Sequence, residues 1–224
     1  MLSALGALER LQSGNRRFAD GARTLDARMS PEELARLAAG QQPFAVVLGC
    51  SDSRVPVEIV FDQGLGDLFV IRVAGNVVAA SQIGSVEFAA ERFGTRLVVV
   101  LGHTQCGAVQ ATLEDLQRTT ESQSQHLHSI VDRIRPAVEG LLATDLRHDA
   151  ENLARQAVRA NVRVAAATLR HGSALLEQLI RDDGLLVVGA EYSLETGLVD
   201  FFDASPRAGG AGPAVSRRVA QTGP

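Results

Sequence analysis

Two cysteines and one histidine carry the strongest chemical signal in this chain. Cys50 opens the stretch Cys50-Ser51-Asp52-Ser53-Arg54-Val55-Pro56, and His103 and Cys106 lie together in Gly102-His103-Thr104-Gln105-Cys106-Gly107. Two thiolate sulfurs and one imidazole nitrogen make a ligand set that suits zinc, and three protein ligands leave a fourth position open for water or substrate. The same cysteines could instead pair as a disulfide or sit as inert thiols in a core. Asp52 and Arg54 follow Cys50 closely, and neither ion enters a core without a purpose. As a local ion pair they would fix the loop. In addition, Asp52 could accept a proton or hydrogen bond beside a metal while Arg54 keeps it ionised and aimed.

For these side chains to meet, residue 50 and residues 103–106 must be carried to one place. Apolar runs over 44–49, 67–73, 96–102 and 185–189 are bounded by Gly, Pro or turn-like stretches. Each is too short for a helix and apolar on both faces, which predicts buried parallel strands. Helical patterns over 81–93, 108–117 and 149–170 alternate with them. The expected fold is therefore α/β, with a central, mostly parallel sheet of about four strands flanked by helices. In such sheets the ligand site lies at the carboxyl ends of the strands, where Cys50 and the His103/Cys106 pair both fall.

Leu5, Leu8, Leu11 and Phe18 recur near the helical period, and Ser30-Pro31-Glu32-Glu33 reads as an N-cap followed by Pro at the first helical position. These features predict an N-terminal helical arm over 1–40. Tyr192-Ser193-Leu194-Glu195-Thr196-Gly197 reads as a turn leading into an antiparallel edge strand over 198–202. The expectation is a single domain over 1–205, followed by a flexible, small-residue tail over 206–224 with no fold of its own.

Composition narrows the function further. The 224 residues are 46% hydrophobic but only 4% aromatic, with no Trp, so Ala, Val, Leu and Ile must build the core. A net charge of -4 disfavours nucleic acid as the main ligand. No apolar window approaches the length of a membrane span, which excludes a transmembrane role. The first residues lack a basic segment followed by a long apolar stretch, so the expected location is cytoplasmic.

The paired motifs around Cys50 and around His103 and Cys106 resemble the signature of the β-class carbonic anhydrases, and the likeness covers nearly the whole chain apart from the tail. The resemblance implies zinc held by Cys50, His103 and Cys106, and reversible hydration of carbon dioxide to bicarbonate and a proton by zinc-bound hydroxide. In that scheme an Asp52–Arg54 dyad orients the hydroxide, and Asp52 is a possible fourth zinc ligand in a closed form. The resemblance also assigns Gln41, Phe69 and Phe88 to substrate binding, with Phe88 contributed across a dimer interface, and implies a homodimer or tetramer. Val73 stands where relatives commonly carry Asn. An inhibitory bicarbonate site of some bacterial members uses a Trp, an Arg and a Tyr; Arg72 and Tyr192 match, but Val47 occupies the Trp position, so strong bicarbonate inhibition is not expected. Two rival readings use the same residues. One is hydrolysis of carbon disulfide or carbonyl sulfide, and the other is a non-catalytic zinc or redox module in which Cys50 and Cys106 oxidise and release the metal.

Overall fold

Helix starts follow from local side-chain chemistry. Ser3 caps α1 (Ala4–Ala19) by accepting from the Gly6 amide, and Ser30 and Glu33 form a reciprocal capping box on α2 (Pro31–Ala39). The structure, a computed structural model, describes residues 2–24, 30–117 and 124–204, so the expected tail over 206–224 lies outside the described residues. After α2 come β1 (Ala45–Gly49), α3 (Val57–Val60), β2 (Leu68–Arg72), α4 (Ala80–Arg92), β3 (Leu97–His103) and α5 (Gly107–Gln117). Then follow α6 (Gln125–Leu142), α7 (Ala150–His171), α8 (Ala174–Asp182), β4 (Leu186–Tyr192) and β5 (Val199–Ala204).

The sheet runs in the order β2-β1-β3-β4-β5, with every neighbouring pair parallel except the antiparallel β4–β5 edge. The expected α/β architecture is therefore the observed one. From β1 the chain pairs β2 on one side and later returns to lay β3 on the other, so the strand order reverses at the β1/β3 boundary. A crevice for ligands opens at such a switch point, at the carboxyl ends of the strands.

Alternate residues of the strands serve two apolar layers. Val46, Leu48, Val98, Val100 and Val187 pack with buried residues of α4, α7 and α8, whereas Val47, Leu97, Val99, Leu101 and Val188 pack with α1 and α3. Burying each such side chain contributes about 1.5–3 kcal/mol before entropy is counted, so many small aliphatic residues make up for the scarcity of aromatic ones. A third cluster at the carboxyl end joins α5, α6 and α7 around Cys50 and Cys106.

One difference from the sequence reading bears on the site. At their carboxyl ends β3 and β4 run past the expected 102 and 189, because Gly102 pairs with Glu191 and His103 with Tyr192, which makes His103 the last strand residue rather than part of the following loop. Gly102 also lets α7 lie close to the sheet: a Cβ there would stand 2.5 Å from Val162 Cγ2. Gly102→Ala should destabilise by about 1–3 kcal/mol. In a chain of this size that lowers the thermal midpoint by roughly 2–10 °C, measurable by calorimetry. An unchanged midpoint would show that α7 yields at no cost.

Candidate metal centre

The two central strands deliver the ligands. Cys50 leaves the sheet directly after Gly49, His103 closes the adjacent β3, and Cys106 precedes α5 across a turn in which Gln105 takes a left-handed conformation (φ 56°). The ligating atoms of Cys50, His103 and Cys106 all lie within 4.8 Å of one another, and all three residues are buried. Both cysteines are free thiols. His103 Nδ1 is 2.8 Å from the Thr104 carbonyl oxygen, an acceptor, so Nδ1 carries the hydrogen and Nε2 presents its lone pair. Nε2 is itself buried without a hydrogen-bond partner, a costly state that a metal ion would relieve.

The electrostatics point the same way. A hydrogen bond from Cys106, helped by His103 and by backbone amides, brings the Cys50 thiol down to about 4 against the opposing effect of burial. Cys106 is pushed up by its hydrogen bond to Cys50 and by burial. Once Cys50 is ionised its charge opposes ionisation of Cys106, and a divalent cation between the sulfurs would remove that opposition. Burial disfavours a charged His103, yet Cys50, the Thr104 carbonyl and Asp52 together raise its pKa. The pocket is arranged for positive charge at its centre, and its donor set fits zinc.

Asp52 stands at the rim. Arg54 donates to it through Nε (2.9 Å to Oδ1) and Nη2 (2.8 Å to Oδ2), and the Arg54 amide adds a third bond at 3.0 Å. These hydrogen bonds hold the Asp52 carboxyl well below the usual carboxylate range. Asp52 Oδ2 lies 3.8 Å from His103 Nε2, which brings the carboxylate to the edge of the Cys-His-Cys group. The loop has a second clamp: Arg72, the last residue of β2, donates from Nε to the Cys50 carbonyl (3.0 Å) and from Nη2 to the Asp52 carbonyl (2.6 Å). The family resemblance matches Arg72 to an inhibitory site; the sequence signal for its clamp is a charged residue closing an apolar strand.

A cavity of about 670 Å³ opens beside Cys106, lined among others by Gly107, Gln110, Arg155, Val158 and Glu195. The three residues expected to bind substrate lie elsewhere in the chain. Gln41 lines a separate cavity with Phe93, Thr95 and Arg96, before β1 and β3 begin, so the length of β1, roughly 16 Å, separates it from Cys50. Phe69 pairs in register with Val46 near the start of β1, and its ring packs 6.1 Å from both Phe88 and Phe93. Phe88 is 53% exposed. Within one chain these residues form an aromatic group toward the amino ends of the strands, away from the cysteines.

The fold and the site define an α/β protein with a Cys-His-Cys group that could hold a metal, and an Asp-Arg pair, at the switch point of its sheet. The sequence profile of the carbonic anhydrase family matches residues 45–199. Carbonic anhydrase 2 of Mycobacterium tuberculosis is 39% identical, over 86% of this chain and 90% of that protein. Among solved structures, the β-carbonic anhydrase CafA of Aspergillus fumigatus superposes with a TM-score of 0.70 at 29% identity, covering 79% of this chain and 83% of that one. A tetrameric β-carbonic anhydrase of Sordaria macrospora shares the fold, with a TM-score of 0.69 at 23% identity over 87% of this chain and 95% of that one. This chain belongs to the β-class carbonic anhydrases, and its activity is the hydration of carbon dioxide. That assignment decides against the non-catalytic reading. None of the described helices is long and apolar enough to cross a membrane.

Proposed function

We propose that Cys50, His103 and Cys106 hold zinc, and that the Asp52–Arg54 dyad orients the nucleophile that attacks carbon dioxide. The observation that carries this reading is the bidentate Arg54–Asp52 pair placed 3.8 Å from the unpartnered Nε2 of a buried histidine flanked by two thiols. Zinc bound there supplies hydroxide near neutrality by lowering the pKa of water from about 16 toward about 7, a magnitude taken from the three-histidine carbonic anhydrases. Asp52, ionised throughout the neutral range, can only accept hydrogen bonds. It therefore takes the O–H of the nucleophile and turns a lone pair toward the substrate carbon. Arg54 keeps that carboxylate charged and fixes both of its oxygens.

In this reading the unit over 1–205 is one catalytic domain, cytoplasmic, and works as a homo-oligomer. The half-exposed Phe88 and the absence of any buried residue in α2 support a second copy covering these surfaces. Gln41, Phe69 and Phe88 would then line the pocket of the neighbouring copy.

Two thiolates return more negative charge to the metal than imidazoles do, so hydration should rise with pH above neutrality. The folded pKa of Asp52 is depressed, so its own titration falls at acid pH and contributes nothing to that rise. Stopped-flow hydration between about pH 6.5 and 9 checks this. A rate that is flat and maximal from acid to neutral pH would contradict the thiolate argument. Arg72→Lys should lower kcat/KM about tenfold, because one ammonium cannot replace a fork that grips two carbonyls. Wild-type kinetics in that variant would show that Arg54 alone holds the loop.

A further inference from the structure

Asn161 is a buried polar residue in the middle of α7, among Ala157, Val158, Val162 and Ala165, and only 2% exposed. An amide on an apolar helix face costs stability unless its hydrogen bonds are made. Asn161 Nδ2 donates to the Gly75 carbonyl at 2.7 Å, across a sequence separation of 86 residues. On the other side of that residue, the Gly75 amide donates to Cys50 Sγ at 3.3 Å. Gly75 sits in the left-handed region at φ +65°, and a Cβ there would lie 2.8 Å from Ile134 Cδ1 and 3.1 Å from Ala108 Cβ. The backbone is thus pressed against α5 and α6 in a conformation that other residues adopt only with strain. The next residue on α7, Val162, is the one that the missing side chain of Gly102 admits to the sheet, which fixes the depth of Asn161.

We infer that Asn161 is a positioning residue for the metal centre: it holds Gly75 by its carbonyl so that the Gly75 N–H stays aimed at the sulfur of Cys50. This rests on Cys50 being a metal ligand. An N–H donated to a thiolate draws charge from the sulfur, makes it a weaker donor to the metal and leaves the metal more acidifying. Outer partners of this kind are worth about 10–100-fold in metal affinity or activity.

The test uses the full chain with cobalt in place of zinc, and compares the unaltered protein with Asn161→Leu and Asn161→Ala. Loss of the donor is expected to move the sulfur-to-cobalt charge-transfer band to longer wavelength and to cost about tenfold in kcat/KM of the zinc form. A residue needed only for folding would lower the thermal midpoint without moving the band. A band at the same wavelength in a folded variant overturns the inference. Absence of any such band in the unaltered protein would instead overturn the reading of Cys50 as a ligand. Should neither variant fold, the unaltered protein loaded with cadmium-113 decides. A scalar coupling between the metal and the Gly75 amide proton, passing through the Cys50 sulfur, is expected, and its absence would overturn the inference.

Discussion

Asp52→Ala is expected to lower kcat/KM for carbon dioxide hydration by about 10²–10³-fold, the usual cost of losing one preorganised polar group at the reacting centre. Zinc content should stay close to that of the unaltered protein, because the three proposed ligands directly follow β1, close β3 and precede α5, and none is Asp52 in the arrangement described. The loss should appear in kcat as well as in kcat/KM, since aiming a lone pair matters in the transition state and not in the binding of carbon dioxide. Metal analysis alongside stopped-flow kinetics reads both quantities. Activity within a few-fold of wild type would remove Asp52 from the mechanism, and parallel loss of zinc and rate would recast it as a metal-site residue. Arg54 would then be left uncompensated, so a modest fall in thermal midpoint is compatible with the prediction.

Cys106→Ser is the second large effect. The substitution preserves shape but exchanges a soft, ionisable donor for a hydroxyl that zinc holds poorly. Cys106 is buried and lies beside Cys50, so its replacement leaves two protein ligands. Zinc per chain should fall from about one to a small fraction, and hydration should fall with it, by roughly 10³-fold or more if the hydroxide source is the metal. Because the ion joins the end of β1 to the end of β3, the variant should also unfold at lower temperature, and added zinc should raise its midpoint less than it raises that of the unaltered apoprotein. Full zinc content with full activity in the serine variant would show that Cys106 is not a ligand.

The metal centre was legible in the sequence because its residue types are scarce and their positions are punctuated. Cys50 follows one short apolar run, His103 closes another with Cys106 three residues on, and parallel strands put such positions together. The sheet was legible for a related reason: strands buried on both faces read as unbroken runs of Val, Leu and Ile. The helices over Gln125–Leu142 and Ala174–Asp182 were less so. The first carries an internal Pro136 and begins among polar residues, and its apolar contacts at Ile134 and Val138 are made only once α5 and α7 are in place. Gln41, Phe69 and Phe88 could be named only by resemblance, because nothing in their spacing connects them to Cys50 and within one chain they remain apart from it. Asn161 did leave a local mark, a lone amide in the apolar stripe of α7, but its partner is a backbone carbonyl 86 residues away, which no periodicity reveals.

The central claim, that one zinc held by Cys50, His103 and Cys106 drives hydration, is tested most directly by titrating metal-free protein with zinc and following carbon dioxide hydration by stopped flow at each step. The account predicts a linear rise in rate that stops at one zinc per chain. Hydration at full rate in the metal-free protein, or a folded protein with one zinc per chain and no hydration, would contradict it.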